Sequence, residues 1–372
     1  MLQLLQKLRP WMIAAFLSLA VSLVIIVING NDPLALVTIG TQFSEGIPEE
    51  QNGTEGYDGQ FNYYIARDPS TAAQYIDVPA YRFQRILMPG IAWVLSFGNV
   101  ALIPWIFLFI GVLSLAAGTA ILEDLLVQLG ASRWYALTYG LTIGTLGAVR
   151  LSLSEPLAYA LALGGIWLFL HPRWWLSAIA FALALLTRET TILIPLACGI
   201  YLLTQRNWKI AIPFGLLTLI PFVVWQLILY MYLGQFGIGS GGAKATGFEI
   251  IPFMGVIRIV TDVPAEIRLR MVLIFGSLLL PFVLIPTFWG LWRCIQDFLK
   301  GTVSFYTWLL VTHVVIMFFV PFSTYREPIG IYRFIVGLQI AIILYAAERH
   351  QKRALLYSTL WIITSFFLFS LA

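Results

Sequence analysis

Long apolar runs recur along this chain, and short polar clusters separate them. A helix that crosses a bilayer needs roughly 20 mostly apolar residues. Runs of that kind are read at 11–29, 100–121, 134–149, 157–171, 174–187, 190–204, 210–233, 271–291, 304–321, 330–346 and 354–371, giving about eleven spans. The run 86–97 is too short to cross and is read as a re-entrant or interfacial piece. Alternating polarity, the mark of a spanning strand, is absent. Helices remain, because lipid obliges each segment to satisfy its own backbone hydrogen bonds. The expected fold is therefore all-α: a polytopic transmembrane bundle, one domain over residues 1–372, with no internal repeat.

Composition agrees. Of the 372 residues, 60% are hydrophobic and 11% charged, whereas a soluble domain carries about 25% charged residues. Lys7 and Arg9 precede the first apolar run. That run is longer than a signal-peptide core and lacks a clear cleavage site, so it is read as an uncleaved first span with a cytoplasmic N-terminus. Alternating from there, the inner segments hold eleven of the 22 Lys and Arg and four of the 18 acids. The short outer loops hold only Arg150, Arg188, Arg326 and Arg333, as the positive-inside rule asks. Two long segments, 30–85 and 234–270, fall outside.

Cys198 and Cys294 are read as inert thiols, one in a span and one in a short basic loop. His171, His313 and His350 form no metal motif. The segment 234–247 lacks the Gly-Lys-Ser/Thr core of a phosphate loop. It reads as a Gly/Ser linker or, on the outer face, as a lid. Residues 52–54, NGT, match a glycosylation sequon that matters only in a secretory protein.

The first outer loop contains EGYDGQFNYYIARDP at 55–69. Asp58-Gly59 is a turn signal, and Asp58 is placed to cap a short helix from Gly59 to Arg67. Phe61, Tyr64 and Ile65 would share one face, as in an interfacial amphipathic helix. Asp68-Pro69 would stop it and cap a second short helix through Ile76. Four more polar clusters lie at outer helix ends: YRFQR at 81–85, LSEP at 153–156, LTRETT at 186–191 and TYREPIGIYRF at 324–334. Ionisable groups at membrane depth are costly and usually face a cavity or a partner. Arg150, Glu155, Arg188, Glu189, Arg326, Glu327 and Arg333 on one side suggest an outward-open polar chamber; local ion pairs are the alternative.

Taken in order, YDGQFNYYIARDP, RFQRILMPGIAWVLS, SEP, TRET and REPIGIYRF resemble the GT-C superfamily of integral membrane glycosyltransferases. Bacterial relatives of the GPI mannosyltransferases are the nearest likeness. Tyr57 stands where those enzymes usually have Trp, and the paired acids of some branches are absent, although Glu55 lies three residues before Asp58. The resemblance implies transfer of mannose or another hexose from a polyprenyl-phosphate donor to a glycan, lipid or protein acceptor on the outer face of a bacterial plasma membrane. It implies no nucleic-acid partner and identifies no cofactor or metal. It maps the proposed base onto Asp58.

Elementary chemistry fits that mapping. A hydroxyl is a poor nucleophile until a positioned carboxylate takes its proton, and a phosphate leaving group needs cations. Arginine suits phosphate because its planar fork pairs with two oxygens. The catalytic candidates are Asp58, with Glu155 as reserve base. The substrate-binding candidates are Tyr57, Gln60, Arg85, Arg188, Glu189, Arg326 and Arg333. A capping role would lower the Asp58 pKa and weaken it as a base. A polytopic transporter or lipid flippase is the alternative. It would hold charges near the bilayer midplane, often on broken helices related by repeats. A non-catalytic scaffold would leave the outer clustering unexplained.

Overall fold

The computed structural model describes residues 8–43 and 53–370; Lys7 and Asn52, of the first flank and the sequon, lie outside the described residues. The described residues form helices joined by loops, with no strand among them. Apolar helices long enough to cross a bilayer make it a membrane protein. Four reach that length: Pro10–Ile28, Val100–Gln128, Trp208–Leu233 and Ala265–Lys300. A fifth forms if Pro328–Phe334 and Val336–Glu348, bent by 46° to one another, count as one span. Glu155–Leu170, Trp174–Thr187, Glu189–Thr204 and Phe305–Met317 are shorter apolar helices.

Several expected spans are not single α-helices, and two break up most. The 134–149 run breaks into Arg133–Ala136, Leu137–Gly140, a π turn at Ile143–Gly147 and Ala148–Arg150. Close packing accompanies the break: a Cβ on Gly144 would meet the Tyr332 carbonyl oxygen at 2.5 Å. The 354–371 run is α-helical over Lys352–Ser358 and then 3-10 over Thr359–Ser370. Cys294 lies buried within the Ile285–Lys300 helix, not in a loop.

Burial sorts the helices into centre and rim. Every residue from Val336 to Ala347 is buried, so this helix forms the axis of the bundle. Trp208–Leu233 and Ala265–Leu279 instead expose most of their apolar side chains, among them Met231, Leu269 and Leu273. Surfaces of that size need lipid or a partner to cover them.

Polar side chains gather at the two ends. At one, Glu123 accepts from Arg9 at 2.6 Å, and Asp297 accepts from Thr307, Tyr345 and Arg349 at 2.7–3.1 Å. The other end carries the first loop. There the Gly59–Arg67 helix has its expected bounds but not its expected setting. Residues 59–66 are all buried, packed with Phe83, Met88, Ala92, Ile103 and Phe107. It is an enclosed plug rather than an amphipathic helix with one wet face. Gly59 is required by close approach: any Cβ there would sit 2.1 Å from the Leu151 carbonyl oxygen. The apolar run at 86–97 is a ten-residue helix, Leu87–Ser96, with Met88 and Ala92 inside and Trp93 and Val94 outside.

Candidate functional site

Three helix ends and the plug meet at one point. Glu155 opens the Glu155–Leu170 helix, and Arg188 follows the Trp174–Thr187 helix that runs back beside it. Arg333 is the penultimate residue of the Pro328–Phe334 helix, just before the bend into the central helix. Asp58 stands at the head of the plug.

Asp58 occupies the N-cap position, but its backbone is helical (φ −52°, ψ −25°) and its side chain caps nothing. The capping expectation fails for a physical reason: two cations claim the carboxylate. Arg82 Nη1 donates to Oδ1 and Arg333 Nη1 to Oδ2, each at 2.9 Å. Burial alone would raise the Asp58 pKa, yet the adjacent Arg82 and Arg333 hold it well below the usual carboxylate range. In this state Asp58 is ionised and a weak proton acceptor.

Each arginine is in turn anchored. Arg82 grips Asp77 through Nε at 2.8 Å and Nη2 at 2.9 Å, and its guanidinium lies 4.3 Å from the Phe61 ring centre. Arg333 donates Nε to Glu155 Oε1 and Nη1 to the Tyr57 hydroxyl at 3.1 Å. Glu155 is fully buried, and the same Oε1 also accepts from Arg188 Nη1. Its second oxygen, Oε2, is buried without a hydrogen-bond partner. Arg85 pairs with both oxygens of Glu189, at 2.6 and 2.9 Å. The Tyr57 hydroxyl donates to Glu327 at 2.7 Å. Burial pushes that phenol above its ordinary pKa, although Arg333 opposes it.

Most of these pairs join residues far apart in sequence, so the clusters do meet at one place, but as ion pairs that satisfy one another rather than as an open chamber. Asp58, Asn62, Arg82, Arg85, Glu155 and Arg333 all line one small pocket. Its free volume is about 10 Å³, room for about one water. Among the described residues, no three His, Cys, Asp or Glu side chains form a group that could hold a metal ion.

Tyr57, Asp58, Arg85, Glu155, Arg188, Glu189 and Arg333 are thus brought together. Gln60 and Arg326 are not. Gln60 is buried and ties loop backbone, accepting from Gly40 N at 3.0 Å and donating to the Glu55 carbonyl at 2.7 Å. Arg326 is exposed and lies 5.3 Å from the Phe322 ring centre, away from the pocket. Arg326→Ala should therefore leave stability within about 0.5 kcal/mol of wild type, as exposed positions generally do. A thermal melt checks this. A loss well beyond that figure would mean Arg326 has a buried role. Arg150 holds the first loop, donating to Ala35 O and Thr38 Oγ1 at 3.1 Å.

Arg82 and its anchor Asp77 escaped the sequence reading, as did Asn62, which lines the pocket. Arg82 stands three residues before Arg85 at the end of the short Pro79–Phe83 helix. That spacing places two guanidiniums on one side of a helical turn, and it is the signal that was available. The 234–247 segment is no free linker: Ala243 N donates to Asp77 at 3.2 Å, Lys244 to Glu55, and Thr246 N to Ser323 at 3.0 Å. It is tied to the first loop beside the Asp77–Arg82 pair and to the Phe322–Arg326 helix.

The chain matches no protein-family model, no curated protein and no solved structure.

Proposed function

We propose that this chain is a GT-C-type membrane glycosyltransferase of about eleven spans, moving mannose or another hexose from a polyprenyl-phosphate donor to an acceptor on the outer face. The observation that carries the reading is Asp58 held between Arg82 and Arg333. One displaceable carboxylate and two forked cations meet there, with Arg85 and Arg188 behind. That is the equipment the transfer needs. The acceptor hydroxyl gives its proton to the Asp58 carboxylate, and its oxygen bonds to the sugar C1. The C1–O bond to phosphate breaks, and its electron pair stays on the phosphate oxygen. The new charge is met by guanidiniums, which pair with two phosphate oxygens at once. Embedding the catalyst in the bilayer follows from the donor, because a prenyl tail can remain in lipid while its phosphate reaches the site.

The test is direct. The purified protein, in detergent or liposomes, is offered a panel of polyprenyl-phosphate hexoses with candidate acceptors. Release of polyprenyl phosphate coupled to a glycosylated product is expected for one donor. Absence of transfer from every donor would favour a transporter or flippase. One feature supports that second reading: Gln339, on the central helix, is fully buried with neither amide atom hydrogen-bonded. Such a group inside a membrane bundle marks a transport path in some proteins. Gln339→Leu separates the two, since it should spare transfer and impair transport.

A further inference from the structure

Arg82 and Arg333 are built alike. Each is fixed along one edge by a deeply buried acid, Arg82 by Asp77 and Arg333 by Glu155. Each then aims Nη1 at one oxygen of Asp58. The three acids differ in access. The side chains of Asp77 and Glu155 are 7% and 0% exposed, whereas that of Asp58 is 32% exposed. Aromatic rings steady both guanidiniums, Phe61 under Arg82 and Tyr57 under Arg333. If Asp58 turned away, both arginines would keep their anchors. Two N–H groups would remain aimed at a pair of oxygens borne by one atom, the arrangement a carboxylate and a phosphate share. The pocket is too small to admit a phosphate unless a side chain leaves it.

Building on the transferase reading, we infer that Asp58 is a displaceable counter-ion: the donor's phosphate replaces it on Arg82 and Arg333, and the freed carboxylate then serves as base. Binding and activation become one event. A carboxylate clamped by two guanidiniums holds its proton affinity low, and losing them restores it. Without donor the base is silent; with donor it faces the acceptor. Glu155 is not the exchanging acid, because two arginines bury it completely.

The exchange makes an unusual prediction. Asp58→Asn removes the competing charge, so the variant should bind the lipid phosphate more tightly than wild type while transferring sugar more slowly. Binding of polyprenyl monophosphate is measured calorimetrically in detergent micelles. Inorganic phosphate and phosphatidylglycerol serve as separate arms. Affinity for polyprenyl monophosphate should rise roughly tenfold, the scale of one charge-assisted hydrogen bond. Equal or weaker binding by the variant overturns the exchange and leaves the transferase reading standing. No binding by either protein removes the lipid-phosphate donor itself, and the exchange with it. Inorganic phosphate binding as tightly as the lipid would overturn the lipid source. A second readout uses the wild type alone. Carbodiimide coupling followed by mass spectrometry should find Asp58 more reactive with polyprenyl monophosphate bound. Protection of Asp58 by that ligand would equally overturn the exchange.

Discussion

Asp58→Asn should lower sugar transfer by about 10²–10⁴-fold, the usual contribution of a positioned general base, and leave the protein folded. The amide keeps the size of the side chain and one acceptor oxygen. Arg82 stays on Asp77 and Arg333 on Glu155, so neither guanidinium is stranded. The partial exposure of Asp58 limits the cost further, to about 1 kcal/mol. Transfer rates and melting midpoints of wild type and variant are compared in one detergent. Undiminished transfer would strip Asp58 of the base role and direct attention to Glu155 Oε2. A melting loss as large as the activity loss would show that the charge, not the proton transfer, is what the site needs.

What could be read from sequence divides at the range of the interactions. Helical, membrane-embedded architecture is legible in the apolar runs, because it follows from composition and length alone. So are the bounds of the Gly59–Arg67 helix, which fall at Asp58-Gly59 and Asp68-Pro69 although Asp58 does not cap it. Clusters of charge at helix ends are legible as well. Their pairing is not. Asp58 followed the local rule for a cap until Arg82 and Arg333, the latter 275 positions away, took both its oxygens. The tyrosine-bearing plug looked amphipathic because period and polarity describe a helix in isolation; the short helices around it bury its other faces. Arg326 and Arg333 share one motif, and only the turn of the Pro328–Phe334 helix sends the second inward. Tyr332 packs against the break near Gly144, a contact no local pattern encodes.

Glu155→Ala should be the most damaging single change to stability, at about 3–5 kcal/mol. Arg188 and Arg333 are nearly buried and converge on the same Glu155 oxygen. Without it, Arg188 keeps a hydrogen bond from Nε to Thr190 at 3.1 Å and the nearby charge of Glu189, and Arg333 keeps Asp58 and Tyr57. Two like charges then face each other with little water to screen them, and breaking a buried pair costs far more than its net worth. The double variant Glu155→Ala/Arg188→Ala should be less destabilised than the two single losses added together. One stranded cation is gone, and coupling of about 0.5–3 kcal/mol is usual for residues in contact. Detergent-solubilised protein is unfolded by denaturant titration for all four members of the cycle. Strict additivity would mean that the arginines find other partners and that Glu155 is not their shared anchor. The same geometry decides how arginine variants are read. Loss of turnover in Arg188→Ala or Arg333→Ala is evidence of phosphate binding only where the fold survives. Arginine-to-lysine variants, which keep the charge and lose the fork, are therefore the sharper probes of the donor.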